Sequence, residues 1–286
     1  MDSNAVVVTG VSTGIGEGVA EALVEAKFHV FGTVRKDSDE HKLRAKFGGA
    51  FTPLRMDVTN ASEVAQAVSQ VRDLLGGQNL KGLVNNAGVS LVGPLLHQPL
   101  EDVRTQMEVN LIAPLRMVQA FAPLLGTDPA RRGGPSRIVN MSSVGGKMAF
   151  PYLGAYAASK HALEGLSESL RRELMLYGID VILIEPGHVN TPILDKAQAE
   201  DYGPYRQTAY GASLEGFRSA FIAEGRKGLA PRHIGDVVLT ALTTGSPRTA
   251  YPVMKEKFKN WTLPRLLPTR TLDRLVGRQF NLLPQQ

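Results

Sequence analysis

Cysteine is absent from the 286 residues. That absence excludes disulfides, thiolate metal centres and cysteine nucleophiles. Long apolar runs are missing too: nothing approaches the roughly 18 residues of a membrane span. The apolar start of "NAVVVTG" meets a glycine too soon for the core of a secretory signal and reads as a buried strand. Histidine is scarce, six residues with no pair at ligand spacing, so no metal is expected. Asn260 in "NWT" matches a glycosylation acceptor, which carries no weight without secretion. A cytoplasmic, reducing setting is the expectation.

Positive charge is nearly absent as an excess from most of the chain. The net charge is +5, and Pro252–Gln286 holds three lysines and four arginines against Glu256 and Asp273. The basic excess therefore belongs to the C-terminal segment. A nucleic-acid binder would carry it on the main body, so nucleic acid is not an expected partner.

Short apolar runs alternate with helical patterns. "AVVVT", "FHVFGTV", "FTPLRM", "KGLVNNAG", "RIVNMSS" and "IDVILIEPG" read as strands buried on both faces, with "TAYPVM" a candidate seventh. Helices are expected over about 15–27, 38–47, 61–76, 100–125 and 152–177. This alternation predicts one α/β domain, a doubly wound parallel sheet of about seven strands with helices on both faces. Residues 1–254 form the expected main domain, with a flap at about 191–230. A basic amphipathic extension follows over 255–286. The loop "GTDPARRGGPSR" reads as a plain surface insertion.

The first strand runs into "TGVSTGIGEG", where Gly10, Gly14 and Gly16 precede a helix. Glycines let a backbone turn tightly and approach a pyrophosphate, and the following helix offers free N–H donors to the anion. Gly10, Ser12, Thr13, Gly14, Ile15 and Gly16 are therefore expected to bind a nucleotide. Further on, "GAYAASKHALEGL" places Tyr156 and Lys160 four residues apart, on one helix face.

TGxxxGxG at 9–16, "NNAG" at 85–88, Asn110, the serines of "NMSS", YxxxK at 156–160 and "PG" at 186–187 occur in order. Together they resemble the short-chain dehydrogenase/reductase family over about residues 4–250, and more loosely its retinol and hydroxysteroid dehydrogenase-like branch. The resemblance implies a Rossmann-like fold and a hydride exchange between a nicotinamide cofactor and an alcohol or ketone. It makes Tyr156 the acid/base, Lys160 its electrostatic partner, Ser143 the group that holds the substrate oxygen, and Asn110 the keeper of a water on the path to Lys160. Tyr156 and Lys160 also count among the cofactor-binding residues, with Lys160 placed to hold the ribose. An ammonium about 4 Å from a phenol at an effective dielectric near 20 supplies roughly 4 kcal/mol, or about three pKa units. On that reckoning Lys160 draws Tyr156 towards neutrality.

By the same resemblance Asn86, Ala87 and Gly88 line the adenosine side, and Asp57 and Val58 meet the adenine. Pro186, Gly187, Val189 and Thr191 lie beside the nicotinamide, and His188 is lining. The acid that normally accepts from the ribose of NAD is replaced by Val34, followed by Arg35, whose fork suits a 2′-phosphate. NADP(H) is thus the preferred cofactor, with NAD(H) the alternative if Asp37 or Asp39 takes the missing role.

Tyr202, Tyr205, Tyr210, Phe217 and Phe221 crowd the flap, either over an apolar substrate or within a helical core. The expected activity is an NADP(H)-dependent interconversion of a ketone and a secondary alcohol. The alternatives are an NAD-dependent alcohol dehydrogenase with the same site and a nucleotide-sensing protein without turnover. The expected partners are a small ketone or alcohol and further copies of the chain, as a homodimer or homotetramer. The basic extension could lie on an anionic membrane, fold over the substrate entrance or pack on a partner subunit. Pro264 and Pro268 interrupt it, so packing on the protein is the expectation.

Overall fold

The computed structural model describes residues 4–199 and 201–284. Of the expected domain, flap and extension, residues 1–3, 200, 285 and 286 lie outside the described residues. The chain runs β1 (Ala5–Val8), α1 (Gly14–Glu25), β2 (His29–Val34), α2 (Asp37–Phe47), β3 (Phe51–Arg55), α3 (Ala61–Leu75) and β4 (Gly82–Asn85). It continues through α4 (Leu100–Met107), a π turn (Glu108–Ile112), α5 (Ala113–Phe121), β5 (Arg137–Met141), α6 (Gly154–Glu173) and β6 (Asp180–Pro186). It ends with α7 (Ile193–Ala199), α8 (Gly203–Arg206), α9 (Gly211–Arg226), α10 (Pro231–Thr243), β7 (Ala250–Val253), a second π turn (Phe258–Thr262), α11 (Leu263–Leu266) and α12 (Thr269–Gln279).

The strands form one parallel sheet in the order β3-β2-β1-β4-β5-β6-β7. β1 and β4 are buried at every position, as strands covered on both faces must be. One face packs on α1 and α10 through Val19, Leu23, Ile234 and Val238. The other packs on α3 and α5 through Val64, Val71, Met117 and Phe121. α1 and α10 approach closely because both carry glycine at the crossing: a Cβ on Gly235 would sit 2.3 Å from the carbonyl oxygen of Gly18.

The strand order reverses between β1 and β4, so loops leaving their C-terminal ends diverge and open a crevice there. Three local differences from the sequence pattern matter. The helix expected at 100–125 is interrupted by the π turn at Glu108–Ile112. The flap is helical, and α10 completes a layer that the strand-helix alternation did not announce. The loop at 126–137 is tied to the chain after α3: Arg132 N–H donates to Gly77 (2.9 Å), and Ser136 Oγ donates to the Leu80 carbonyl (2.5 Å).

Candidate active site

One continuous cleft of about 2170 Å³ crosses the C-terminal ends of the strands. At one end β1 turns into α1. Gly10 and Gly14 adopt φ of +69° and +62°, a left-handed conformation that favours glycine. A Cβ on Gly16 would lie 2.1 Å from the Gly10 carbonyl oxygen. The turn is held from below by Thr9, whose hydroxyl accepts from the N–H groups of Asn86 and Ala87, both at 2.9 Å. Asn86 Nδ2 donates in return to the carbonyls of Thr9 (2.9 Å) and Gly10 (3.1 Å). The "NNAG" segment thus braces the glycine turn. Thr13 caps α1 without a side-chain hydrogen bond, so the first N–H groups face the cleft uncapped.

β2 ends at Val34, so Arg35 is the first residue beyond the sheet, at the rim of the cleft. Its guanidinium is largely exposed and touches Asp57 Oδ2 only loosely, at 3.5 Å. Burial raises the Asp57 carboxyl, but hydrogen bonds from Thr59 and the charge of Arg35 outweigh it and hold the group below the ordinary carboxylate value. Asp37 pairs with Arg55, away from the role in which it would stand in for an acid at the strand end.

The other end of the cleft lies beyond β5. Ser143 opens the turn that follows the strand, and its Oγ accepts from Gly145 N–H at 3.0 Å. Its hydroxyl proton reaches the Tyr156 phenol oxygen. Ser142 is buried and donates to Glu164 Oε1 at 2.5 Å. Tyr156 and Lys160 leave the same face of α6 and both line the cleft, as does Ser143.

Lys160 does not act on Tyr156 as the sequence arithmetic supposed. Its Nζ donates to the Met141 carbonyl at 2.8 Å and stands 5.8 Å from the centroid of the Tyr156 ring. Burial pushes the Tyr156 phenol upward, opposed by a hydrogen bond from Ser143. Burial also lowers the Lys160 ammonium to about 8, with Glu164 pulling it back up. The arithmetic counted Coulomb attraction and omitted desolvation, which here is the larger effect on both groups. The resting tyrosine is a protonated phenol, suited to giving a proton.

Asn110 does not line the cleft. It is fully buried on the π turn; its Nδ2 donates to the Val89 carbonyl (2.9 Å) and Ser159 Oγ (3.0 Å), and its Oδ1 accepts from Val89 N–H (2.9 Å). The amide thereby clamps the strand-end segment after β4 to α6.

The remaining sequence-chosen residues converge on the cleft: Asp57, Val58, Asn86, Ala87, Gly88, Pro186, Gly187, Val189 and Thr191 all line it. Thr191 reaches across to Gly14, where an added Cβ would meet its side chain at 3.3 Å. His188 lines the cleft and meets the Phe221 ring edge-on at 5.9 Å; desolvation lowers its pKa, and the charge of Glu224 opposes this. The aromatic flap divides its work. Phe217 and Phe221 line the cleft, and Phe217 also belongs to the apolar cluster of Tyr152, Tyr202, Leu214 and Phe280, which Tyr205 and Tyr210 flank.

Sequence reasoning missed the acid behind the site. Glu164 binds Lys147 Nζ at 2.9 Å as well as Ser142, and the buried Glu185 of β6 lies 3.9 Å from the same ammonium. The signal was present, since Glu164 follows Lys160 by four residues on the same helix. The C-terminal extension supplies part of the wall: Leu272, Val276 and Phe280 line the cleft.

A family model described as short chain dehydrogenase matches residues 4–202. Over 280 residues the chain is 36% identical to an NADPH-dependent 3-dehydrocapnine reductase of Ornithobacterium rhinotracheale, covering 98% of each chain. It is 33% identical over 267 residues to a 3-ketodihydrosphingosine reductase of Bacteroides thetaiotaomicron, covering 91% of this chain and 94% of the other. A crystal structure of a short chain dehydrogenase from Burkholderia cenocepacia in complex with NADP superimposes with a TM-score of 0.72 at 26% identity, covering 99% of both chains.

Proposed function

The chain belongs to the short-chain dehydrogenase family, and on that premise we propose that it is an NADPH-dependent reductase of an apolar ketone. The observation that carries this reading is the arrangement of one cleft. The glycine turn and Arg35 stand at one end, and Ser143, Tyr156 and Lys160 converge at the other.

The residues fit a phosphorylated nicotinamide dinucleotide. The turn at Gly10, Gly14 and Gly16 leaves no room for side chains, which brings backbone donors to the surface where a pyrophosphate can approach. The exposed fork of Arg35, whose one ion pair among the described residues is loose, matches the geometry of a 2′-phosphate. Asn86, Gly88, Pro186, Gly187, Val189 and Thr191 would hold the rest of the group. When bound, it supplies the hydride that the side chains of this fold cannot.

The chain's own residues handle the oxygen and the proton. Ser143, whose hydroxyl already bonds the Tyr156 phenol, turns to orient the carbonyl oxygen of the ketone. The Tyr156 phenol, kept protonated by burial, donates to that oxygen as it gains charge. Lys160, held on the Met141 carbonyl beside the phenol, favours the phenolate that this transfer leaves. Asn110 acts as a positioning residue, fixing α6 relative to the floor of the cleft. Phe217 and Phe221 exclude water from the substrate side. The same reading includes a cytoplasmic location and a homodimer or homotetramer.

The test is a screen of ketones with NADPH, followed by loss of the reduced nicotinamide absorbance, with cofactor affinities measured beside it. Arg35→Ala should weaken NADPH by about 1.5–3 kcal/mol, the range for a hydrogen bond to a charged group, and leave NADH unaffected. An unchanged NADPH-to-NADH ratio removes the cofactor assignment.

A further inference from the structure

The cleft opens at the C-terminal segment. From Tyr156 it runs past Phe217 and Phe221 to Leu272, Val276 and Phe280. Leu275 and Leu283 line it as well, yet they are 49% and 44% exposed, so the wall they form faces outward too. Phe258 and Leu266, in the same segment, are 70% and 73% exposed, and Leu263 is also exposed.

Cations are interspersed with this apolar surface. Lys257, Arg270, Arg274 and Arg278 make no ion pair among the described residues, and Arg265 lies over the Trp261 ring at 4.7 Å. The opposite side of the segment is anchored: Trp261 is buried, and Val276 and Phe280 join the aromatic cluster under the flap. The segment therefore packs on the protein and still presents apolar and cationic groups outward. Apolar and aromatic side chains beside unpaired cations suit the interface of an anionic bilayer. A second copy of the same face suits it poorly, because its excess charge is also positive.

We propose that residues 255–284 dock on an anionic lipid bilayer and hold the mouth of the cleft against it, so that a ketone with a long alkyl chain passes from the lipid to Tyr156. The substrate half rests on the reductase reading; the docking half does not.

The test uses the full chain with NADPH and vesicles of phosphatidylcholine with or without phosphatidylglycerol. Flotation with the anionic vesicles is expected, weakening as salt rises. Two variants leave the cleft lining intact: Phe258→Ser with Leu266→Ser, and Lys257→Glu with Arg270→Glu and Arg274→Glu. Both should stay unbound at unchanged melting temperature and turn over a short soluble ketone normally. Their turnover of a vesicle-borne long-chain ketone should fall at least about tenfold, because one variant removes apolar insertion and the other the attraction of cations to the anionic surface. Wild type that fails to float, or variants that float equally well, overturns docking. Variants that instead dissociate an oligomer assign the face to a second copy and overturn it as well. Flotation with equal long-chain turnover overturns the delivery half, whereas loss of all turnover with flotation intact condemns the reductase reading alone.

Discussion

Tyr156 and Lys160 share a helix face, but spacing alone does not say what either group experiences there. Burial raises the phenol and lowers the ammonium, so each is biased towards its uncharged form before any ligand arrives. A protonated phenol beside an oriented carbonyl is a general acid, and general acid catalysis is typically worth about 10²–10⁴-fold. Tyr156→Phe removes one oxygen while keeping the ring that packs against Gly145, where an added Cβ would lie 3.1 Å from it. Turnover should therefore fall by about that factor, with NADPH affinity unchanged. Single-turnover kinetics alongside fluorescence titration checks both halves; retained turnover would remove Tyr156 from the chemistry. The pair and its serine were readable in the sequence because motif order places them. The balance of desolvation against Coulomb attraction was not, because it depends on what surrounds α6.

At the level of elements, β6 and α6 bring Glu185 and Glu164 to the same Lys147 ammonium. Burial raises the Glu185 carboxyl to about 7, helped by the neighbouring Glu164, while Lys147 pulls it down. An acid raised in the folded state holds a proton that the unfolded chain releases above its ordinary value of 4.5. Stability contributed by this group therefore declines as pH climbs from 4.5 to about 7, and the penalty is complete above that. Glu185→Gln keeps the shape and cannot ionise. Its melting temperature should match wild type near pH 4.5 and exceed it by a margin that widens to about pH 7 and then levels. Parallel melting curves across that range would show that Glu185 does not titrate there.

This cluster also marks where sequence reading stops. All seven strands were legible as apolar runs, since burial on both faces removes the polar alternation. The break of the long helix at Asn110 was not, because a π turn keeps helical periodicity on either side. α10 escaped notice although Pro231 opens it and Ile234, Val238, Ala241 and Leu242 line its buried face. A close glycine crossing with α1, which only the assembled layers reveal, explains its place.

On the scale of the whole molecule, the two arms of the cleft rest on different cores. The cofactor arm stands on the ends of β1, β2 and β4, whose side chains belong to the two large clusters flanking the sheet. The substrate arm leans on a small third cluster in which Phe280 packs edge-on against Phe217 at 5.4 Å. The Phe280 carbonyl accepts the Ser213 hydroxyl, which in turn accepts from Tyr152 Oη at 2.6 Å, so the C-terminal helix, the flap and the loop before α6 close on one another. Truncating a buried phenylalanine costs about 3–5 kcal/mol. At Phe280, which sits near the surface, the low end of that range applies. Phe280→Ala should lower the melting temperature and raise KM for an apolar ketone several-fold. NADPH affinity should stay at its wild-type value, because no residue of the glycine turn or of Arg35 touches this cluster. Thermal melts and a titration with each ligand separate the two arms; a matching loss of NADPH affinity would mean that they fold as one unit.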